Sequence, residues 1–412
     1  MCNSANQWNS MHDLVVEFKK FSEAEVDKVS DDNCMLATST FARNMVASIP
    51  NINKLNLDSY YSGCDAYTKR FCNIAFNSYA HQLKSYSSNV PVVLTATTFS
   101  PELIKLRITI DWTNISPLPK INASTITIIS IKGCLGSLSW NNFASKGEST
   151  NIEFSNLKSI VVEHTDKRTL PDLAGHNNSN TNIAERAFQL HMPSLTFITL
   201  TDIDDDSKLL TASINFKHIS RANITGSYKI LKLFKHSHEG KMSYCDVEVS
   251  VSPDDDINEF YELTNIIFGS TIKLNRASLI LNMDKSGWNT QPILWANLYD
   301  LEIKQSIQFD TLVELLSKMP RMNELTVNDI LCNDLSYISI YRVKCISTSV
   351  TKLKLDFTSK GIPKGTMNAV VKYLILSMPS LKEMSWTGGH FDHVTFVEMY
   401  KSVYPHLASM RF

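Results

Sequence analysis

Several signals that would assign a compartment or a binding chemistry are missing from this sequence. No stretch approaches the ~18 consecutive apolar residues of a membrane-spanning helix. The N-terminus carries no basic segment followed by an apolar one, so we predict no secretory signal peptide. The charges nearly cancel, with 40 Lys and Arg against 41 Asp and Glu, which gives no electrostatic reason to expect binding to nucleic acid or an anionic membrane. We therefore expect an intracellular protein, cytoplasmic or nuclear, that binds neither.

The sequence also lacks the short motifs of common enzyme and metal sites. It contains no Gly-rich phosphate loop, no GxSxG and no HExxH, and its 8 cysteines are scattered without a CxxC pair. His236 with His238, and His390 with His393, could be metal ligands, but no further Cys or His completes either set. We therefore predict reduced thiols, no metal, no cofactor, no catalytic residues and a protein that is not an enzyme.

One phrase recurs five times along the chain. In each copy a proline is followed by apolar residues two, five and seven positions later. The copies are IPNINKLNL at 49–57, MPSLTFITL at 192–200, MPRMNELTV at 319–327, MPSLKEMSW at 378–386 and YPHLASMRF at 404–412. A phrase that recurs without gaps indicates a structural repeat and favours stacked units over separate domains.

The copy around Pro320 shows the unit that the repeat predicts. Leu312, Leu315 and Leu316 have the spacing of a buried helical stripe, Pro320 ends that helix, and residues 324–328 alternate like a half-buried strand. Without the proline, the strand spacing recurs in segments that end at Ile108, Ile131, Val162, Leu233, Ile303 and Leu355, and more weakly at 278–282. Two long gaps predict additional strands near 92–94 and 247–251, and most strands then lie about 22–38 residues apart.

These helix-then-strand units resemble leucine-rich repeats of the ribonuclease-inhibitor-like class. The irregular repeat lengths and the MPxLxxLxL phrases are similar to those of fungal F-box and leucine-rich-repeat proteins, although no F-box pattern precedes the repeats. The resemblance implies an α/β fold: a curved, horseshoe-shaped solenoid with a parallel sheet of about 12 or 13 strands on its concave face and helices on its convex face.

We expect a single solenoid over residues 33–412, after a polar segment at 1–32 to which the pattern assigns no definite structure. Stretches dense in Pro, Gly, Asn and Asp predict loop insertions near 163–186, 234–246 and 284–292. The last copy ends at the final residue of the sequence without a capping segment, so we expect either a shortened chain or an exposed edge that binds a partner.

Strand positions beside the buried apolar pairs are expected to point outward from the sheet. These positions are apolar in the middle strands and charged in the flanking ones, where they include Lys105 and Arg107. The predicted partner-binding residues are Val161, Phe197, Ile230, Lys232, Phe234, Ile280, Glu302 and Lys354. The apolar members would anchor a protein or peptide and the charged ones would orient it. Two alternatives stay open: the insertions cover this patch, or a register shifted by one residue buries it.

The expected function is therefore non-enzymatic protein recognition. The resemblance implies a partner- or substrate-recognition subunit like the leucine-rich-repeat part of an F-box ubiquitin-ligase adaptor, with ligase subunits among the candidate partners. The alternative is a stand-alone structural or interaction scaffold with no ligase link, and an enzyme is the remaining possibility.

Overall fold

The computed structural model shows an α/β chain that divides into two compact units, residues 1–218 and 219–412. It describes residues 10–18, 31–59, 66–92, 99–110, 121–133, 151–164, 189–203, 213–215, 218–234, 241–269, 276–283, 290, 293–331, 345–357, 364–388 and 409–411. Within these residues no helix is both long enough and apolar enough to cross a bilayer.

The first unit is built on an open parallel sheet. Its strands are β1 (Asp13–Phe18), β2 (Lys54–Ser59), β3 (Ser85–Val92), β4 (Lys105–Ile110), β5 (Ile128–Gly133), β7 (Ser159–His164) and β9 (Phe197–Thr201). They pair in that order, and each pairing is parallel. A small parallel sheet joins β6 (Asn151–Glu153), β8 (Gln189–His191) and β10 (Ser213–Asn215). The helices are α1 (Asp31–Ser48) and α2 (Ala66–Tyr79).

The second unit repeats this design. Its strands are β11 (His218–Ser227), β12 (Lys241–Val251), β13 (Arg276–Met283), β14 (Asp300–Gln308), β15 (Glu324–Leu331), β16 (Lys352–Phe357), β17 (Glu383–Gly388) and β18 (Ser409–Arg411). They neighbour one another in that order, and the pairings from β12 to β18 are parallel. Its helices are α3 (Ile257–Gly269), α4 (Phe309–Ser317), α5 (Lys364–Ser377) and a 3-10 helix at Tyr228–Phe234.

The recurring proline phrase marks the start of a strand in every copy. Each of the five strands begins four residues after its proline, at Lys54, Phe197, Glu324, Glu383 and Ser409. The helix predicted before Pro320 is present as α4. Apolar residues at helical spacing also predict helices before Pro50 and Pro379, which are present as α1 and α5, and one from residue 392, which lies outside the described residues. The helix-turn-strand unit is therefore confirmed at these three prolines, whereas Pro193 follows the strand β8 instead of a helix.

A backbone ladder joins the turns that precede successive strands. The carbonyl of His12 accepts the N–H groups of Asn53 and Lys54, each at 2.9 Å. The carbonyl of Asn53 in turn accepts the N–H groups of Lys84 and Ser85, at 2.7 and 3.1 Å. Equivalent acceptors are Lys84, Ile104, Thr127 and Lys158 in the first unit, and Tyr299, Asn323 and Thr351 in the second. One carbonyl thus satisfies two donors of the next repeat, which fixes the register with which repeats stack.

In both units, strands bury alternate residues on one face, and helices pack against that face. In the first unit, Phe76 of α2 lies 4.5 Å from Tyr86 of β3 between ring centroids, and both side chains are buried. In the second unit, Trp295 packs edge-on against Phe260 and Phe268 of α3, and its indole N–H donates to the Thr264 hydroxyl at 3.1 Å. Alternate residues along each strand therefore form the core, and the residues between them form the opposite face.

Two sequence expectations are wrong. The strand expected to end at Leu233 is the 3-10 helix, because its apolar residues at i and i+3 (Tyr228, Leu231 and Phe234) match the three-residue turn of that helix. The predicted loop at 234–246 contains the beginning of β12 from Lys241. Residues 13–18, to which the sequence pattern assigns no definite structure, form β1, which pairs with β2 along its whole length.

Candidate interaction surface

The outward face of the first unit is a flat array of side chains held in register. One row across its later strands consists of Lys105, Ile128, Ser159 and Phe197. The next row consists of Arg107, Ser130, Val161 and Thr199. Adjacent strands are about 4.8 Å apart, so these rows bring residues from distant parts of the sequence within one contact distance of each other.

Ile128, Val161 and Phe197 form an apolar cluster on this face. The three side chains lie on β5, β7 and β9, and each is partly exposed. Their strand neighbours Ile129, Ile160 and Ile198 are buried on the opposite face, which rules out a register shift at these positions. The outward placement predicted for Val161 and Phe197 is therefore confirmed. Ile128 is an additional member that lies in register with Ser159, beside Val161.

Lys105 and Arg107 lie next to the apolar cluster on β4. Arg107 is exposed and Lys105 is partly exposed, and no carboxylate pairs with either of them within the part of the chain that the structure describes. Lys105 is the register partner of Ile128. Burial lowers the pKa of Lys105, and the neighbouring Arg107 charge lowers it further. The apolar cluster is thus directly adjacent to two cations that no described carboxylate neutralises.

The second unit presents a different outward row. Ile280 is partly exposed between Glu248 and Glu302, and the row continues through Thr326 to the exposed Lys354. The outward placement predicted for Ile280, Glu302 and Lys354 is confirmed. Lys304 of β14 makes an ion pair with Glu248 of β12, so this pair spans β13, the strand that carries Ile280.

Ile230 and Phe234 do not belong to any outward surface. Both are fully buried in the 3-10 helix, so the expectation that they face a partner is wrong. Lys232, from the same segment, is partly exposed and pairs with Glu259 of α3 at 3.1 Å. The five apolar residues expected to form one patch therefore separate: Val161 and Phe197 are in the first unit, Ile280 is in the second, and the other two are core.

The strongly shifted ionisable groups support the structure. Burial raises the pKa of Tyr79 to about 12, and its hydroxyl donates to the Ile49 carbonyl at 2.8 Å, which ties α2 to the end of α1. Burial, and to a lesser extent the Asp246 charge, raises the pKa of the Cys245 thiol. A buried thiol held protonated is a poor nucleophile, so Cys245 acts as a core residue.

A depression of about 270 Å³ lies at the turns before β16 and β17, lined by Thr348, Ser349, Thr351, Pro379, Ser380, Leu381 and Lys382. No three His, Cys, Asp or Glu side chains converge there or elsewhere in the described part of the chain. His236, His238, His390 and His393 lie outside the described residues.

No protein-family model matches the chain, and a search of curated proteins found no match to it.

Proposed function

We propose that this chain is a non-enzymatic protein-recognition module whose repeats form a leucine-rich-repeat solenoid of the ribonuclease-inhibitor-like class. The helix, proline turn and parallel strand that occur together at Pro50, Pro320 and Pro379 support this fold, as does the backbone ladder that joins successive strands. The observation that carries the function is the apolar cluster of Ile128, Val161 and Phe197, which lies on the outward sheet face instead of in the core.

The apolar cluster has the features of a protein-binding anchor. Its three side chains project from adjacent strands of one sheet, so they lose little conformational freedom when a partner packs against them. An aromatic ring such as that of Phe197 can bury about 150–250 Å² in total and typically dominates the contact energy. The surrounding Ser130, Ser159 and Thr199 can hydrogen-bond a partner's backbone around this apolar centre.

The role that best fits such a module is partner or substrate recognition, as in the leucine-rich-repeat part of an F-box ubiquitin-ligase adaptor, inside the cell and without a cofactor. A stand-alone scaffold is the alternative, and it would use the same surface. The two roles differ in the proteins that assemble with the chain: an adaptor co-purifies with ubiquitin-ligase subunits, and a scaffold does not.

The test is affinity capture with a variant that charges the anchor. We expect Phe197→Asp to weaken binding of the captured partner by about 2 kcal/mol or more, roughly thirtyfold in Kd, because a carboxylate would be buried in an apolar contact. Thr201→Asp is the matched control, since it adds the same charge on the same strand and face, four residues away. Thermal unfolding should show that both variants fold.

Binding of the purified partner should then be measured by titration against the three proteins. Loss with Phe197→Asp and retention with Thr201→Asp supports the proposal. Equal affinity for all three proteins would place the binding surface elsewhere and refute it.

A further inference from the structure

Among the described strands of the first unit, two outward lysines are paired with carboxylates and two outward cations are not. Lys54 of β2 contacts Asp13 of β1 at 2.8 Å, and Lys132 of β5 contacts Glu163 of β7 at 2.6 Å. Lys105 and Arg107, on β4 between those strands, have no such partner among the described residues. On this face, lysines paired with carboxylates therefore lie on both sides of β4, whose two cations have no described carboxylate partner.

The register explains why the protein itself does not compensate this pair. Lys105 lies between Ser85 of β3 and Ile128 of β5, and Arg107 lies between Ser87 and Ser130. All of these neighbours are neutral. Lys105 and Arg107 point to the same side of one strand, two residues and about 6.8 Å apart, so their charges repel each other.

Such an arrangement costs stability unless a negative group binds to it. Burial against the sheet, and to a lesser extent repulsion from Arg107, disfavours the charged form of Lys105 and lowers its pKa. Local arrangements that oppose stability concentrate at functional sites. The hydroxyls of Ser85, Ser87 and Ser130 add uncharged donors around the two cations, so the whole neighbourhood favours an anionic ligand.

The spacing indicates which anion fits. Alternate side chains of an extended peptide are also about 6.8 Å apart, so carboxylates at positions i and i+2 can each meet one cation. The guanidinium of Arg107 can hold a carboxylate with two parallel hydrogen bonds. The apolar cluster begins one strand away, at Ile128, so one segment can contact both surfaces.

We propose that Lys105 and Arg107 bind the carboxylates of an acidic, extended segment of the protein partner, next to an apolar residue that packs on Ile128, Val161 and Phe197. This inference rests on the proposed function and specifies the chemistry of the partner. The apolar cluster supplies the anchor, and the cation pair selects for Asp or Glu at alternate positions.

The test uses the purified protein, residues 1–412, and labelled peptide arrays. One array holds short peptides with Glu at alternate positions and each apolar residue in turn at the flanking site. The second replaces every Glu by Gln, and the third carries a single phosphoserine among the Gln residues. We expect the tightest Glu peptide to bind about tenfold or more tightly than its Gln counterpart, and this preference should fall with added salt.

Two double variants locate the effect. Lys105→Gln with Arg107→Gln should abolish the preference for Glu over Gln. Lys54→Gln with Lys132→Gln removes two charges from the same face, but from compensated positions, and should preserve it. Equal binding of Glu and Gln peptides, equal loss in both double variants, or a preference for the phosphoserine array over the Glu array would each overturn the inference.

Binding of the captured partner to wild type and to the variants distinguishes failure of this inference from failure of the proposed function. A partner lost by Phe197→Asp but bound equally by wild type and the Lys105/Arg107 double variant would refute the acidic segment and leave the recognition module standing. A partner bound equally by all of these proteins would refute both.

Discussion

The outward faces of the two units share one architecture and differ in how they use charge. In the second unit, cations meet carboxylates across strands: Arg221 with Asp246 at 3.3 Å, Lys352 with Glu383 at 3.5 Å, and Lys304 with Glu248. In the first unit, β4 carries an uncompensated pair of cations beside an apolar cluster. The buried positions of both sheets are the same kind of aliphatic ladder, so they determine the fold, whereas the outward positions distinguish the two surfaces.

This difference explains why we assign recognition to the first unit. A face whose charges are mostly paired, as in the second unit apart from the exposed Lys354, has less to gain from a charged partner, because binding must first break or desolvate those pairs. A face with partly exposed apolar side chains, and with cations that no described carboxylate pairs, gains from both kinds of contact. Ile280 in the second unit is also apolar, but it lies between Glu248 and Glu302 and beneath an ion pair.

The largest expected effect is on the free energy of unfolding, and it should be the same in both units. Leu106→Ala in β4 and Leu325→Ala in β15 each remove a fully buried side chain. We expect each to lower the free energy of unfolding by about 2–5 kcal/mol, because the transfer energy of the side chain is lost and a cavity remains. Urea unfolding followed by circular dichroism measures the change; a loss below about 1 kcal/mol at either position would show that the two ladders are not equivalent.

The next effect should differ between the units. Phe197→Asp should weaken binding of the captured partner by about 2 kcal/mol or more. Ile280→Asp introduces the same charge in the second unit and should change the binding free energy of the partner by less than about 0.5 kcal/mol. Isothermal titration against the purified partner makes the comparison. A larger loss from Ile280→Asp would move the recognition surface to the second unit.

A smaller effect should have opposite signs at two lysines of the first unit. Lys132→Gln breaks the pair with Glu163 and should lower stability by at most about 1 kcal/mol, as expected for a partly exposed pair. Lys105→Gln removes a repelled cation and should raise the melting temperature slightly while it weakens partner binding. Thermal melts of both variants and wild type at low salt measure the two changes in stability. A lower melting temperature for Lys105→Gln would contradict the inference that the Lys105 charge is repelled by Arg107.

The smallest expected effect is the pH dependence of the stability that Lys105→Gln adds. Because the pKa of Lys105 is lower in the folded state than in the unfolded state, its charge disfavours folding fully below the folded pKa. The stability advantage of Lys105→Gln over wild type should therefore shrink as pH rises through the folded pKa, and vanish above the unfolded value of about 10.4. Melts of both proteins across this range isolate the difference from Tyr79 and other groups that titrate in both. An advantage that grows with pH would have the wrong sign.

Much of the fold could be predicted because the proline phrase couples two signals. Pro320 ends α4 and then a buried pair, Leu325 and Val327, sets the face of β15. Helices α2 and α3 are not followed by this phrase, and so went unpredicted although their buried residues have helical spacing. The segment 228–234 was misread because the strand template and a 3-10 helix share the spacing of i and i+3.

The interaction surface was less predictable because it depends on register. Ile126, Ile128, Ile129 and Ile131 form a nearly continuous apolar run, and only the pairing of β5 with β4 and β7 shows that Ile128 alone faces outward. Lys105 and Arg107 were recognised as outward charges. That no described carboxylate pairs with them could not be read from the sequence, since Asp13 and Glu163 pair with lysines from other strands.

Zero-length carbodiimide cross-linking of the captured complex tests the central claim most directly, because it joins a lysine amine only to a carboxylate in contact with it. The account predicts an amide between Lys105 and an Asp or Glu of the partner, identified by mass spectrometry and absent from the Lys105→Gln protein. Cross-links from the partner to Lys352 or Lys354 of the second unit, with none to Lys105, would contradict it.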